Sequence, residues 1–226
     1  MSKLTTTATT TKKSVRAEIE RRNEIFKNAT PAEKRVLIAE DVLALIKAKK
    51  ITPASGTWVE FYTKSEYLAV EDKSFREAVF DGEIETCECC ALGSIMTSCT
   101  LFKNKITVGD AMDREALSFD AISQDFVADK LGLQKLFGKK QLALIEIAFE
   151  QGAGFYSVDY TLTRIKLGDI TKKEAVQELR EETEISDITL DEVEKAYKFG
   201  SKYNDEDKRL VAIMKNIVKN KGTFKP

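Results

Sequence analysis

Three times along this chain a threonine stands three residues ahead of a glutamate at the head of an apolar run: Thr30 with Glu33, Thr171 with Glu174, and Thr189 with Glu192. At that spacing the hydroxyl accepts an orphan N–H of the first helical turn, and the carboxylate reaches back to the threonine's own N–H. Each pair therefore fixes a helix start before any tertiary contact exists. Pro31 reinforces the first, since its missing N–H is not needed at the first helical position. From there Val36, Ile38, Ala39, Val42, Leu43, Leu45 and Ile46 give a broad apolar face to about Lys50, and Lys47, Lys49 and Lys50 suit the carbonyl end. Thr171 opens a helix ending near Glu182, and Thr189 one that runs to about Phe199 before Gly200. Asn204 or Asp205 starts a last helix, in which Leu210, Ile213, Met214, Ile217 and Val218 recur at helical spacing until Gly222 stops it.

Between these anchors the pattern is softer. Residues 13–28 read as a modest amphipathic helix. Lys139–Gln151 read as a clear one, with Leu142, Leu144, Ile145, Ala148 and Phe149 inward and Gly152–Gly154 as its end. Residues 112–131 are apolar-spaced. Phe155 to Leu167 is consistent with helix or strand, with Phe155, Tyr156 and Tyr160 expected in the core. Thr57–Tyr62 is the best strand candidate, and residues 63–85 read as irregular with a short helical turn around Phe75–Val79. The expected fold is mainly α-helical: a single compact multi-helix domain over residues 13–226, with at most one short β element near residues 57–62, behind a disordered polar tail of residues 1–12. At 226 residues such a domain buries a core without staples. No run of 18 apolar residues is available to span a bilayer, and the N-terminus lacks the apolar stretch of a signal peptide. A reducing cytoplasm is the expected setting, where cysteines stay thiols.

Histidine is absent. That excludes Ser-His-Asp and Cys-His engines, HExxH zinc enzymes and zinc deaminases, and leaves carboxylates, lysine, tyrosine or cysteine as catalytic groups. All four cysteines (Cys87, Cys89, Cys90, Cys99) sit within Thr86–Phe102. Read as a helix, this stretch puts Cys87, Cys90, Ser94, Ile95, Ser98, Cys99 and Phe102 on adjoining parts of a thin side, and Gly93 within it points to close packing. Four thiolates would suit zinc or iron–sulfur, but structural zinc sites pair cysteines with two to four residues between them, and here Cys87 and Cys90 are the one such pair. Small buried hydrophobes are the expected role. As a reactive thiol Cys87 ranks first, near a helix N-terminus, although Glu83, Glu85 and Glu88 oppose its ionisation. No cofactor is expected. Leu167–Glu174 echoes the second half of a calcium loop, but Thr163, Ile165 and Leu167 supply none of its acidic ligands, so that reading fails. Phosphate-binding glycine motifs are missing as well. Trp58 and Tyr62 are the candidate ligand or partner contacts.

Charge is sorted along the chain. Residues 1–50 carry twelve positive groups against six negative, residues 174–194 one against nine, and residues 205–226 six against three. Mutual complementation within the fold is the simpler reading; a merged basic patch would instead suit nucleic acid.

Three blocks resemble small uncharacterised proteins of tailed phages and bacteria: Thr30–Ile51, the Cys89-Cys90-Ala91-Leu92-Gly93 step with Cys87 upstream of it, and the ending Arg209–Pro226 with its Asn-Lys-Gly-Thr-Phe-Lys-Pro tail. That resemblance implies no activity and no catalytic residue. It implies a phage accessory protein in the host cytoplasm. The expected function is thus a non-enzymatic binding protein that inhibits or sequesters a host or immune protein, or holds a small ligand, with no membrane partner. An enzyme using carboxylates or Cys87, and a nucleic-acid binder using the basic terminal helices, remain as alternatives.

Overall fold

The computed structural model describes residues 20–64, 70–103, 106–112, 132–151 and 157–226. In chain order these form α1 (20–28), α2 (Pro31–Lys47), β1 (Ile51–Pro53), β2 (Val59–Thr63), α3 (Phe75–Asp81), β3 (Ile84–Cys89), α4 (Ala91–Lys103), α5 (Val108–Met112), α6 (Leu133–Phe137), α7 (Lys139–Glu150), α8 (Val158–Leu167), α9 (Lys172–Thr183), α10 (Leu190–Gly200) and α11 (Glu206–Lys219). The domain is mainly α-helical, with one small open sheet among the described residues. The tail of residues 1–12, most of residues 112–131, and Phe155 and Tyr156 lie outside the described residues.

The capping signals act as their chemistry requires. At Thr30, Thr171 and Thr189 the hydroxyl accepts the N–H of the third helical residue, and the glutamate there accepts the threonine N–H at 2.7–3.0 Å. Asp205 caps α11 by accepting the Lys208 N–H at 2.9 Å. The ambiguous 155–167 region is a helix from Val158, and Tyr160 stands 63% exposed rather than in the core. Arg164, one turn along α8, lies over its ring.

The strand expected near 57–62 is β2, and it belongs to a three-stranded sheet ordered β1-β3-β2. β3 runs parallel to β1 and antiparallel to β2. The helix read across the cysteines is therefore corrected: residues 84–89 are strand, and α4 begins at Ala91. Over Cys87–Cys89 and its partners the pleat alternates, and a register shift between Tyr62 and Thr63 interrupts it toward Ile84. Ile51, Cys87 and Phe61 pair in one inward row, Pro53, Cys89 and Val59 in the next, while Thr52, Glu88 and Glu60 pair on the outer face. A short run of small and apolar residues fits either period, and here pairing with two distant strands decides it.

α4 lies against this sheet and is buried over nearly its whole length. α2 and α7 flank it, α11 packs across α2 and α7, and α10 closes over α7. The chain end completes the core. Phe224 is buried with its ring edge-on to Phe199 at 5.3 Å, and its N–H donates to Gln141 Oε1 at 2.7 Å. Asn216 brackets Lys225, accepting its N–H at 2.8 Å and donating to its carbonyl at 2.7 Å. Gly222, at φ +89°, presses on the Ala32 carbonyl, and Arg35 donates to the Gly222 and Leu136 carbonyls.

Candidate functional site

The sheet and α4 bring the cysteines together only in part. Cys87 and Cys89 share the inward face of β3 with sulfurs 3.7 Å apart, and Cys89 contacts Ser94 Oγ at 3.2 Å. Cys90 ends the strand and heads α4, where its sulfur accepts the Gly93 N–H at 3.4 Å; Cys99 lies two turns further along the helix. It is Cys90, not Cys87, that takes the helix N-terminal place. All four are buried free thiols. Burial pushes Cys89 and Cys90 well above the usual thiol range, with the Cys87 sulfur adding to the shift at Cys89 and the Glu150 carboxylate at Cys90. Burial raises Cys99 to about 12. Thiols so held are protonated and poor nucleophiles. Among the described residues no group of three or more Cys, Asp or Glu side chains is placed to hold a metal ion.

Gly93 explains why this step tolerates so little. A Cβ there would lie 1.8 Å from the Trp58 carbonyl oxygen and 2.9 Å from Cys89 Cβ. The missing side chain lets the first turn of α4 sit directly on β2 and β3. Trp58 is half-buried against the core, whereas Tyr62 is 43% exposed on the outer sheet face, so the two form no common pocket. Tyr62 is harder to ionise than usual through partial desolvation and the nearby carboxylates of Glu60 and Glu88.

A polar crevice of about 570 Å³ opens beyond the carboxyl end of β1, between the end of α7 and the start of α11. Of its four carboxylates, two hold the turn that joins β1 to β2 and Asp205 caps α11. Glu150 accepts the Gly56 N–H at 2.8 Å and Glu206 accepts the Ser55 N–H at 2.9 Å. Burial raises the Glu150 carboxyl above its ordinary range. Arg209, likewise buried, donates to the Phe149 and Tyr203 carbonyls. These groups fasten loops, and the thiol nearest them stays protonated.

On the opposite terminus of α11 a wider groove, about 1190 Å³, runs between α1, the start of α2 and the end of α11. Its floor is apolar: Ile25, Val36, Leu37 and Val218. Ile25 is 45% exposed. α1 is held beside it by Phe26, which stacks on Phe102 at 4.4 Å, and by Arg22, which pairs with the buried Asp41 at 2.8 Å while Ser98 donates to the same carboxylate. Sequence reasoning missed this groove, because Ile25 and Val218 are nearly two hundred residues apart and each is unremarkable in its own helix.

Compared with known proteins, the chain matches no family model, no curated protein and no solved structure.

Proposed function

We propose that this chain is a non-enzymatic binding protein that works by occupying a protein partner, in a phage setting a host or immune protein met in the cytoplasm. The observation that carries the reading is the open, apolar groove with its exposed Ile25. An isolated surface isoleucine is ordinary, but an apolar floor shared by three helices is the kind of surface that partners cover. The supporting observation is chemical. The four thiols are buried, and two of the crevice carboxylates, Glu150 and Glu206, serve as hydrogen-bond acceptors for a turn. No helix among the described residues is long and apolar enough to cross a membrane, in keeping with a partner away from the bilayer.

The test is complex formation. Full-length protein is mixed with extract of the cell it acts in, the captured protein is purified, and the two are recombined. The reading expects a saturable complex that Ile25→Asp weakens at least about tenfold, equivalent to about 1.4 kcal/mol, while Tyr160→Asp leaves it unchanged. A complex indifferent to Ile25, or no complex with any protein, contradicts it.

A further inference from the structure

Two of the four large hydrophobic side chains exposed among the described residues stand on a helix that takes no part in the groove: Tyr160 at 63% and Leu167 at 71%, both on α8. Seven residues make two turns, so the two share one face, with exposed Thr163 between them. The other side of α8 is the one that folds inward. Val158 and Thr161 are buried there, and Leu162 packs on the core. An apolar row at this spacing is what a helix presents to another helix.

The charges beside the row are ordered. Asp159 and Lys166 each precede an apolar position by one residue, so they share one flank, acidic at its N-terminal end and basic at its C-terminal end, and both are exposed. Asp159 accepts the neutral Tyr197 hydroxyl at 2.6 Å, and Lys166 is in no ion pair among the described residues. On the other flank Arg164 is already held by Glu178 at 2.8 and 3.3 Å.

Such a face is its own complement. Laid antiparallel on a second copy about a two-fold axis through the middle of α8, Tyr160 meets Leu167 of the second copy, and Leu167 meets Tyr160. The same operation sets Asp159 against Lys166 of the second copy and Lys166 against Asp159, so both charge pairs attract. A parallel pairing would turn Asp159 toward Arg164, which Glu178 occupies, and Lys166 toward the uncharged Thr171.

We infer that α8 is a self-association surface, through which two copies of this chain pair antiparallel on Tyr160, Thr163 and Leu167 with Asp159 and Lys166 bridging along the flank. α8 has ten residues and is about 15 Å long. So small a face buries less than the about 1,200 Å² of a stable interface. The dimer is therefore weak, with a dissociation constant on the order of 10 μM or above. It uses none of the residues that line the groove, so it goes beyond the binding reading above and is independent of it.

The experiment is sedimentation of full-length protein at low salt, at concentrations spanning that value. A monomer–dimer equilibrium is expected, tighter as salt falls, and Leu167→Asp is expected to abolish it. Asp159→Lys and Lys166→Asp, each alone, are expected to weaken the dimer at least about tenfold. An equimolar mixture of these two variants, or both swaps in one chain, is expected to restore it, which an unfolded variant could not do. Tyr197→Phe frees Asp159 from its hydroxyl partner and is expected to leave the dimer intact. A chain monomeric at every concentration, a dimer indifferent to Leu167→Asp, or charge swaps that neither mixing nor combination rescues would each overturn the inference. A dimer lost with Ile25→Asp and kept with Leu167→Asp would put the second copy in the groove, against both this inference and the partner reading. A partner complex that persists while no dimer forms removes the α8 pairing alone.

Discussion

At Gly93 the backbone of α4 meets the Trp58 carbonyl with no space for a single methyl group. Gly93→Ala must move either the helix or the strand. The replacement itself favours helix by about 1 kcal/mol, yet the clash dominates, and the expected loss is about 4 kcal/mol or more, read as a fall in urea midpoint. A loss below about 1 kcal/mol would mean that the helix and sheet are not in contact there. The sequence hinted at this, since a glycine inside an apolar helical run suggests close approach. Glu150 gave no such signal, being one acid among many. Its carboxyl is buried, so its folded pKa lies above the unfolded value near 4.5. The sign follows from linkage. The fold prefers the protonated form, so this group's contribution is fully present below pH 4.5 and is lost as pH rises through the raised folded pKa. Glu150→Gln keeps an acceptor for the Gly56 N–H and removes the ionisation. The variant is expected to be at least as stable as the parent at neutral pH, with any advantage fading below pH 4.5. A variant much weaker at neutral pH would assign Glu150 a charge-dependent role beside Arg209.

Among the elements, the capped helices and β2 were legible and the rest of the sheet was not, for physical reasons. A capping box is local, so Thr30, Thr171 and Thr189 declared their helices from three residues of context. Thr30→Ala should lower stability by about 1 kcal/mol, measurable by chemical denaturation. The strands depend on partners far along the chain. β1 is only Ile51–Pro53 and reads as a break at Pro53, and β3 has the small and apolar residues of a helix face until β1 and β2 pair with it. The tail around Phe224 was visible as a motif, but its work is structural: a buried ring, a bracket from Asn216, and a glycine turn held by Arg35. Phe224→Ala is expected to cost about 3–5 kcal/mol. If the thermal or denaturant midpoint barely moves, the chain end is not part of the core.

Across the whole molecule, much of the charge sorting seen along the sequence resolves into internal pairing. Lys139 meets Glu184, Lys140 meets Asp187 and Glu192, and Arg164 meets Glu178. The acidic block of residues 174–194 is thus partly neutralised by α7 and α8. Pairs this exposed contribute little stability. The molecule thus divides in two. The sulfur-bearing strand and helix are packing material, and the surface formed by α1, α2 and α11 is the one we propose for a partner. The division is tested most directly by the rate at which the native protein's thiols react with an excess of a small disulfide reagent near pH 8. The account predicts four thiols that label only as fast as the fold opens, with protection that falls as urea is added. A burst of one or more thiols per chain in the native state, faster than any unfolding, would show a reactive cysteine and contradict it.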